Sequence, residues 1–251
     1  MKALVLLSGG MDSATALALV LDQPVMGFKE VEVVSFNYGQ RHAKELESAK
    51  AIAEHYKVNH TILDLRGAME AFAGSALTGG GAVPEGHYED QSMKKTVVPN
   101  RNMSMLSLAV GLAISKGFDQ VIYGAHKGDH AIYPDCREEF YFALSRAVEL
   151  CDYNPPKLRV PFITADKSSI ALIGHQLKMP FELTWSCYKG GEDHCGVCGT
   201  CVERREAFKL AEIDDPTVYD GAEDDDDGTW DEQNQDYNRE ISASLKRHNS
   251  R

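Results

Sequence analysis

The apolar run Ala3-Leu4-Val5-Leu6-Leu7 passes directly into Ser8-Gly9-Gly10-Met11-Asp12-Ser13 and then into a helical pattern over residues 14–21. A strand that empties through two glycines into a helix N-terminus presents backbone N–H groups where the helix dipole favours negative charge. The junction therefore predicts an anion cradle, most simply for nucleotide phosphates. The glycines let the backbone approach phosphate oxygens with no Cβ between, and such turns often need positive φ. Ser8 and Ser13 add hydroxyl donors. Asp12 is the odd member, because a carboxylate repels phosphate unless a cation intervenes, and its expected role is as a ligand to Mg²⁺. The chain lacks the Gly-Lys-[Ser/Thr] of a Walker loop and the third glycine of a dinucleotide fingerprint. A plain strand-to-helix turn capped by serine is the competing reading.

The pattern that follows repeats the theme. Val31-Glu32-Val33-Val34-Ser35-Phe36 reads as a strand, residues 43–56 as a helix, and His60-Thr61-Ile62-Leu63-Asp64-Leu65 as a strand. Residues 102–116 read as a helix, 120–123 as a strand, 137–150 as a helix, 159–163 as a strand and 167–178 as a helix. Strands separated by helices imply right-handed parallel crossovers and a doubly wound sheet, whose ligands bind beyond the carboxyl ends of the strands. That rule gathers the loops after Leu7, Phe36 and Ile122 around one site. Residues 72–99 break the pattern with Gly79-Gly80-Gly81, Pro84 and Gly86, and read as a lid or a disordered loop.

Charge separates the chain into two parts. From Asp214 onward there are twelve Asp or Glu against four Lys or Arg, which leaves 26 acids and 22 bases before it. The tail, with Glu223-Asp224-Asp225-Asp226-Asp227, is too acidic and too poor in apolar residues to offset its ordering entropy, so residues 220–251 read as disordered, or else as an interaction tail or nucleic-acid mimic. The body carries no basic excess for nucleic acid. No run of about 18 apolar residues predicts a membrane span, and the apolar N-terminal stretch is short for a signal peptide, so a cytoplasmic address is expected.

Cys187, Cys195, Cys198 and Cys201 have the spacing C-x₇-C-x₂-C-x₂-C. Four thiolates this close suit a tetrahedral structural zinc, one per chain, that folds residues 185–203. An iron–sulfur cluster is the competing metal, and disulfides fit a cytoplasmic chain poorly. His194 is left out because four sulfurs suffice. Cys136 and Cys151 are expected to pack.

Other polar residues gather in the loops. Tyr38, Gln40, Arg41 and His42 follow the second strand, and Arg101 in Val98-Pro99-Asn100-Arg101-Asn102 offers a cation for phosphate or carboxylate. After the fourth strand, Asp129 or Asp135 can accept hydrogen bonds from a planar base, Tyr133 can stack on it, and Arg137 adds charge. Lys167 stands where it either meets a leaving pyrophosphate or is a solvated first-turn lysine. Each has a bland alternative as a cap, a surface ion pair or a loop brace.

Ser8-Gly9-Gly10-Met11-Asp12-Ser13, Phe36-Asn37-Tyr38-Gly39-Gln40-Arg41-His42, the 98–102 segment, Tyr133-Pro134-Asp135-Cys136-Arg137 and the cysteine cluster together resemble the 7-cyano-7-deazaguanine synthases. These form the QueC family of the PP-loop ATP pyrophosphatases. The match runs from about residue 2 to 219 and departs from the family's Gly-Arg-Asn motif at Asn100, which adds a side chain near the expected site. The resemblance implies an α/β fold, a doubly wound parallel sheet (Rossmann-like, PP-loop type) over residues 1–180, with a zinc-binding helical subdomain over 181–219. It implies a ligase that converts 7-carboxy-7-deazaguanine and ammonia to the nitrile with ATP, through adenylated carboxylate and amide, the 73–99 loop closing over the site. Residue by residue, it implies ATP at Leu7, Ser8, Gly9, Gly10, Met11, Asp12 and Ser13, with Mg²⁺, and catalytic roles for Asp12, Arg101 and Lys167. The deazaguanine would meet Tyr38, Gln40, Arg41, His42, Asp129, Tyr133, Asp135 and Arg137. A homodimer without direct nucleic-acid contact is also implied. The alternatives are another PP-loop adenylating enzyme acting on tRNA, a related enzyme delivering the deazaguanine to DNA or protein, and a non-catalytic zinc-ribbon module.

Overall fold

Val33, Val34 and Phe36 are buried in one strand and Ala3, Leu4 and Val5 in another, the continuous burial of parallel strands covered on both faces. The computed structural model describes residues 1–22, 27–40, 44–69, 75–78, 81–86, 88 and 91–220. Within these, five parallel strands are β1 (Lys2–Leu6), β2 (Glu30–Asn37), β3 (Asn59–Asp64), β4 (Gln120–Ile122) and β5 (Lys157–Arg159), in the order β3-β2-β1-β4-β5. The helices are α1 (Met11–Asp22), α2 (Lys44–Tyr56), the single turn α3 (Arg66–Met69), α4 (Arg101–Lys116), α5 (Glu138–Val148), α6 (Lys167–Gln176) and α7 (Gly199–Leu210). The predicted doubly wound sheet is thus the observed one.

Alternation along β1 divides the core. Ala3, Val5 and Leu7 pack with Ala14 and Leu17 of α1 and Ile52 of α2, whereas Leu4 packs with Leu106 and Ala109 of α4 and Leu144 of α5. Between β1 and β4 the strand order reverses direction, which opens the crevice in which such sheets bind ligands. The loops after β1 and β4 both end there.

Three expectations are corrected. The strand over 159–163 is instead Lys157–Arg159, and the chain leaves the sheet at Val160 because Pro161 has no N–H for a ladder. Phe162 is apolar for another reason: it is fully buried against Ala16 and Ile170. Cys136 packs as expected, but Cys151 is exposed. Residues 72–99 are not patternless where described. They hold 3₁₀ turns at Ala76–Thr78 and Gln91–Thr96 and bury Leu77, Val83, Tyr88, Met93 and Val98. Residues 1–220 form one compact unit, and Phe208 of α7 joins the core formed by α1 and α2. Apart from Asp220, the acidic tail lies outside the described residues.

Candidate active site

The loop after β1 is tied to itself. Ser8 N–H donates to Ser13 Oγ at 3.1 Å, the two hydroxyls lie 3.0 Å apart, and Ser13 Oγ donates to Gly10 O at 3.0 Å. Gly9 sits at φ +91°, and a Cβ there would lie 2.1 Å from the backbone oxygen of Glu45 in α2. Glycine is therefore required both by conformation and by close approach. Its carbonyl accepts from Trp185 N–H at 2.9 Å, which pins the cysteine-bearing segment to the loop.

Asp12 opens α1 and faces Lys167, the first residue of α6, with Nζ donating to Oδ2 at 2.7 Å. Lys167 is not a solvated lysine: Glu203 of α7 lies 3.2 Å away on another side, and His126 Nε2 lies 3.4 Å away. Burial alone would push Lys167 down, but Asp12, Glu203 and Asp129 overcome it and hold the ammonium well above its ordinary pKa. Burial likewise opposes ionisation of Asp12, and Lys167 and His126 outweigh it, so its carboxyl sits below the ordinary value. Glu203, penalised most by burial, sits above. His126 Nδ1 accepts from Gly128 N–H at 3.1 Å, and its Nε2 lies 3.6 Å from Asp129 Oδ2. Asp12 Oδ1 is buried without a hydrogen-bond partner among the described residues. Buried carboxylate oxygens are seldom left so, and the orphan fits a bound cation.

The other half of the cleft is aromatic. The Arg101 guanidinium lies 5.8 Å from the ring centres of both Tyr38 and Tyr133 and donates to Tyr38 Oη at 3.5 Å. Among the described residues no carboxylate forms an ion pair with it, so it is a partly buried cation available to an anionic ligand. Tyr133 Oη meets Thr96 Oγ1 at 2.6 Å and Tyr188 Oη at 3.4 Å. Tyr88 joins the two halves, donating to Asp129 at 3.0 Å with its ring 6.4 Å from that of Tyr133.

The structure brings many expected residues to one cleft: Leu7, Ser8, Gly10, Met11, Asp12, Ser13, Tyr38, Gln40, Arg101, Asp129, Tyr133 and Lys167 line it. Gly9 shapes the loop from behind. Gln40 lines the wall but spends its amide on its own loop, accepting from Tyr38 N–H and donating to Phe36 O. Asp135 and Arg137 do not line the cleft. Asp135 accepts from Asn102 N–H at 3.0 Å and holds the start of α4, while Arg137 is exposed and donates to His130 O at 2.9 Å. Arg41 and His42 lie outside the described residues. Sequence reasoning missed Glu45, Tyr88, Tyr188 and Glu203, which all line the cleft. Glu45 and Glu203 look like ordinary helix acids, and nothing in their local sequence marks them.

Asn100 adopts φ 57°, ψ 21° ahead of α4, a left-handed conformation. Asparagine is the non-glycine residue that tolerates this conformation best. Its side chain is exposed and lies off the cleft wall.

The four cysteine sulfurs lie within 4.8 Å of one another, a set that can hold a metal such as zinc. Backbone N–H groups of Cys195 and Cys198 point at the sulfurs of Cys187 and Cys195, at 3.5 and 3.3 Å. This polarity suits thiolates. His194 Nε2 accepts from Ser186 N–H at 3.0 Å and its ring packs 4.2 Å from Trp185. Burial drives its pKa down to about 4, so it serves as a neutral brace. The segment ends in α7, which carries Glu203 to Lys167. Among the described residues no helix is long and apolar enough to cross a membrane.

A sequence model described as "Queuosine biosynthesis protein QueC" matches residues 2–212. Similar proteins include a 7-cyano-7-deazaguanine synthase of Caldicellulosiruptor saccharolyticus, 52% identical over 87% of this chain and 96% of the relative. Another, from Hahella chejuensis, is 49% identical over 87% and 93%. Among solved structures, the U34-tRNA thiolase NcsA from Methanococcus maripaludis with its [4Fe-4S] cluster aligns at 15% identity and TM-score 0.47, covering 84% of this chain and 72% of that one. The family match spans the phosphate loop, the aromatic wall and the cysteine segment together, and on that evidence the chain belongs to the QueC family of queuosine biosynthesis enzymes.

Proposed function

We propose that this chain joins 7-carboxy-7-deazaguanine to ammonia with two molecules of ATP and releases 7-cyano-7-deazaguanine. The observation that carries the reading is the pairing in one cleft of a phosphate cradle, residues 8–13 with Lys167 against Asp12, and a cation, Arg101, set among tyrosines.

A carboxylate is a poor electrophile because it would have to expel oxide. Its oxygen attacks the α-phosphorus of ATP, the bond to pyrophosphate breaks, and an acyl-adenylate forms. Ammonia adds to the acyl carbon, AMP leaves, and a proton is lost to give the amide. The amide oxygen is then adenylated in the same way with release of pyrophosphate and one nitrogen proton, and loss of AMP with the remaining nitrogen proton closes the nitrile. The N–H groups of residues 8–13 and the ammonium of Lys167 would stabilise charge on the departing pyrophosphate. Mg²⁺, held at Asp12, would neutralise the triphosphate when bound. The buried residues around the cleft would keep water from the adenylates.

On this reading residues 1–180 form the ATP-binding part and 181–219 the zinc-binding part. Zinc held by Cys187, Cys195, Cys198 and Cys201 would be structural, keeping Trp185 on the phosphate loop and Glu203 on Lys167. A homodimer in the cytoplasm, acting on small molecules without touching nucleic acid, completes the proposal. The test is to incubate the purified protein with ATP, Mg²⁺, ammonium and 7-carboxy-7-deazaguanine and follow AMP and nitrile by mass spectrometry. Two AMP per nitrile are expected; no AMP would end the reading. Asp12→Ala should lose turnover while remaining folded, and Cys198→Ser should lose zinc and open residues 185–203 to hydrogen exchange.

A further inference from the structure

The acids expected to read the base are taken. Asp129 accepts from Tyr88 Oη at 3.0 Å through one oxygen and from His126 N–H at 3.4 Å through the other. It also faces His126 Nε2 at 3.6 Å, in the phosphate half. Asp135 holds α4 and does not line the cleft.

Glu45 is differently placed. It belongs to the first turn of α2 and lines the cleft, and among the described residues its carboxylate has neither a hydrogen-bond donor nor an ion-pair partner. The groups that feel its charge are Arg101 from α4, Tyr38 from the loop after β2 and Tyr188 from the cysteine segment, all of the aromatic half. Arg101 is near enough to favour its ionised form, yet its guanidinium lies over the Tyr38 and Tyr133 rings. Glu45 is half-buried, and a ligand that displaces water from its carboxylate must supply donors in return.

We infer that Glu45 is the residue that selects the base, accepting two parallel hydrogen bonds from the ring N–H and exocyclic amine of a 2-amino-6-oxo heterocycle. Those two donors are coplanar and adjacent, and match the two oxygens of one carboxylate as a guanidinium does. The oxygen-bearing side of the same ring is left for Arg101. Burial raises the Glu45 carboxyl to about 7 with Arg101 pulling it back, and a pair of donors would favour its ionised form. This inference names the substrate contact of the function proposed above and rests on that reading.

The test compares 7-carboxy-7-deazaguanine with its analogue lacking the 2-amino group, first by equilibrium binding without ATP and then by kcat/KM. Wild type should prefer the amino compound by about tenfold or more, as a bidentate pair implies. Glu45→Gln, which has one acceptor and one donor, should reduce that preference to within about threefold through Kd and KM on the amino compound, leaving the KM for ATP unchanged. Glu45→Asp should retain part of the preference, and that retention separates recognition from misfolding. A Glu45→Gln protein that keeps the wild-type preference overturns the inference. So does one that loses kcat equally on both compounds at unchanged KM, because that marks a proton-transferring base. Binding preference that follows the variants without any AMP formation would sustain the contact and sink the ligase reading.

Discussion

The two halves of the cleft are held together by opposite means. In the phosphate half, Ser8 and Ser13 are five residues apart and bond each other directly. In the aromatic half, Arg101 reaches Tyr38 across 63 residues and Tyr133 reaches Tyr188 across 55. The first closes its hydroxyl network within its own few residues and is docked at Gly9 by two distant contacts, Trp185 N–H and the Glu45 carbonyl. The second exists only because α2, α4, the loop after β4 and the cysteine segment converge. A local motif tolerates changes elsewhere and fails at one atom, whereas an assembled wall depends on the anchors that bring its parts together.

The largest effect should come from breaking the local half at its tightest point. Gly9→Ala places a Cβ 2.1 Å from the Glu45 backbone oxygen at φ +91°, and a cost above about 3 kcal/mol is expected, read by chemical denaturation together with loss of ATP binding. If the variant binds ATP normally, the close approach of α2 to Gly9 does not set the loop's geometry.

The assembled half should fail next through its distant anchor. Arg204 of α7 is fully buried and donates to Asp215 at 3.0 and 3.1 Å, to Thr184 and to Phe181 O. Asp215→Asn should cost about 3 kcal/mol, the typical penalty for a buried charge left without its counterion, and should raise hydrogen exchange in α7. The same pair sets a pH dependence. Burial opposes ionisation of Asp215, but Arg204, Tyr219 and Thr217 overcome it and hold its pKa below the ordinary 3.8. Its contribution is present above that value and is lost as pH falls through the lower folded pKa, so the stability gap between wild type and Asp215→Asn should narrow in acid.

Smaller effects sharpen the contrast. Arg101→Lys retains charge but not the planar fork, and should raise KM for the deazaguanine substrate about tenfold with little change for ATP. Asn100→Ala should lose about 1 kcal/mol because alanine tolerates a left-handed conformation poorly, while Asn100→Gly should stay within about 0.5 kcal/mol of wild type. Neither should alter kcat, because residue 100 is exposed and off the cleft wall.

The amino-acid sequence by itself determined the sheet, the phosphate loop and the cysteine set. Apolar strand periodicity, a glycine turn and a C-x₂-C step are short-range signals, each written in a few consecutive residues. It also marked Asp12, Asp129 and Tyr133 as members of one cleft, because the ends of parallel strands converge, while the family resemblance assigned Arg101 and Lys167 to it. Tertiary structure alone decided which acids face the ligand. Glu45 and Glu203 lie in helices whose local pattern is that of solvated acids, and only the close approach of α2 to Gly9 and of α7 to Lys167 turns them inward. Asp135 carries the stronger sequence signal yet is bound to the N-terminus of α4. A carboxylate's role depends on which donors fold brings within about 3 Å of it, and residue type and spacing along the chain do not encode that distance.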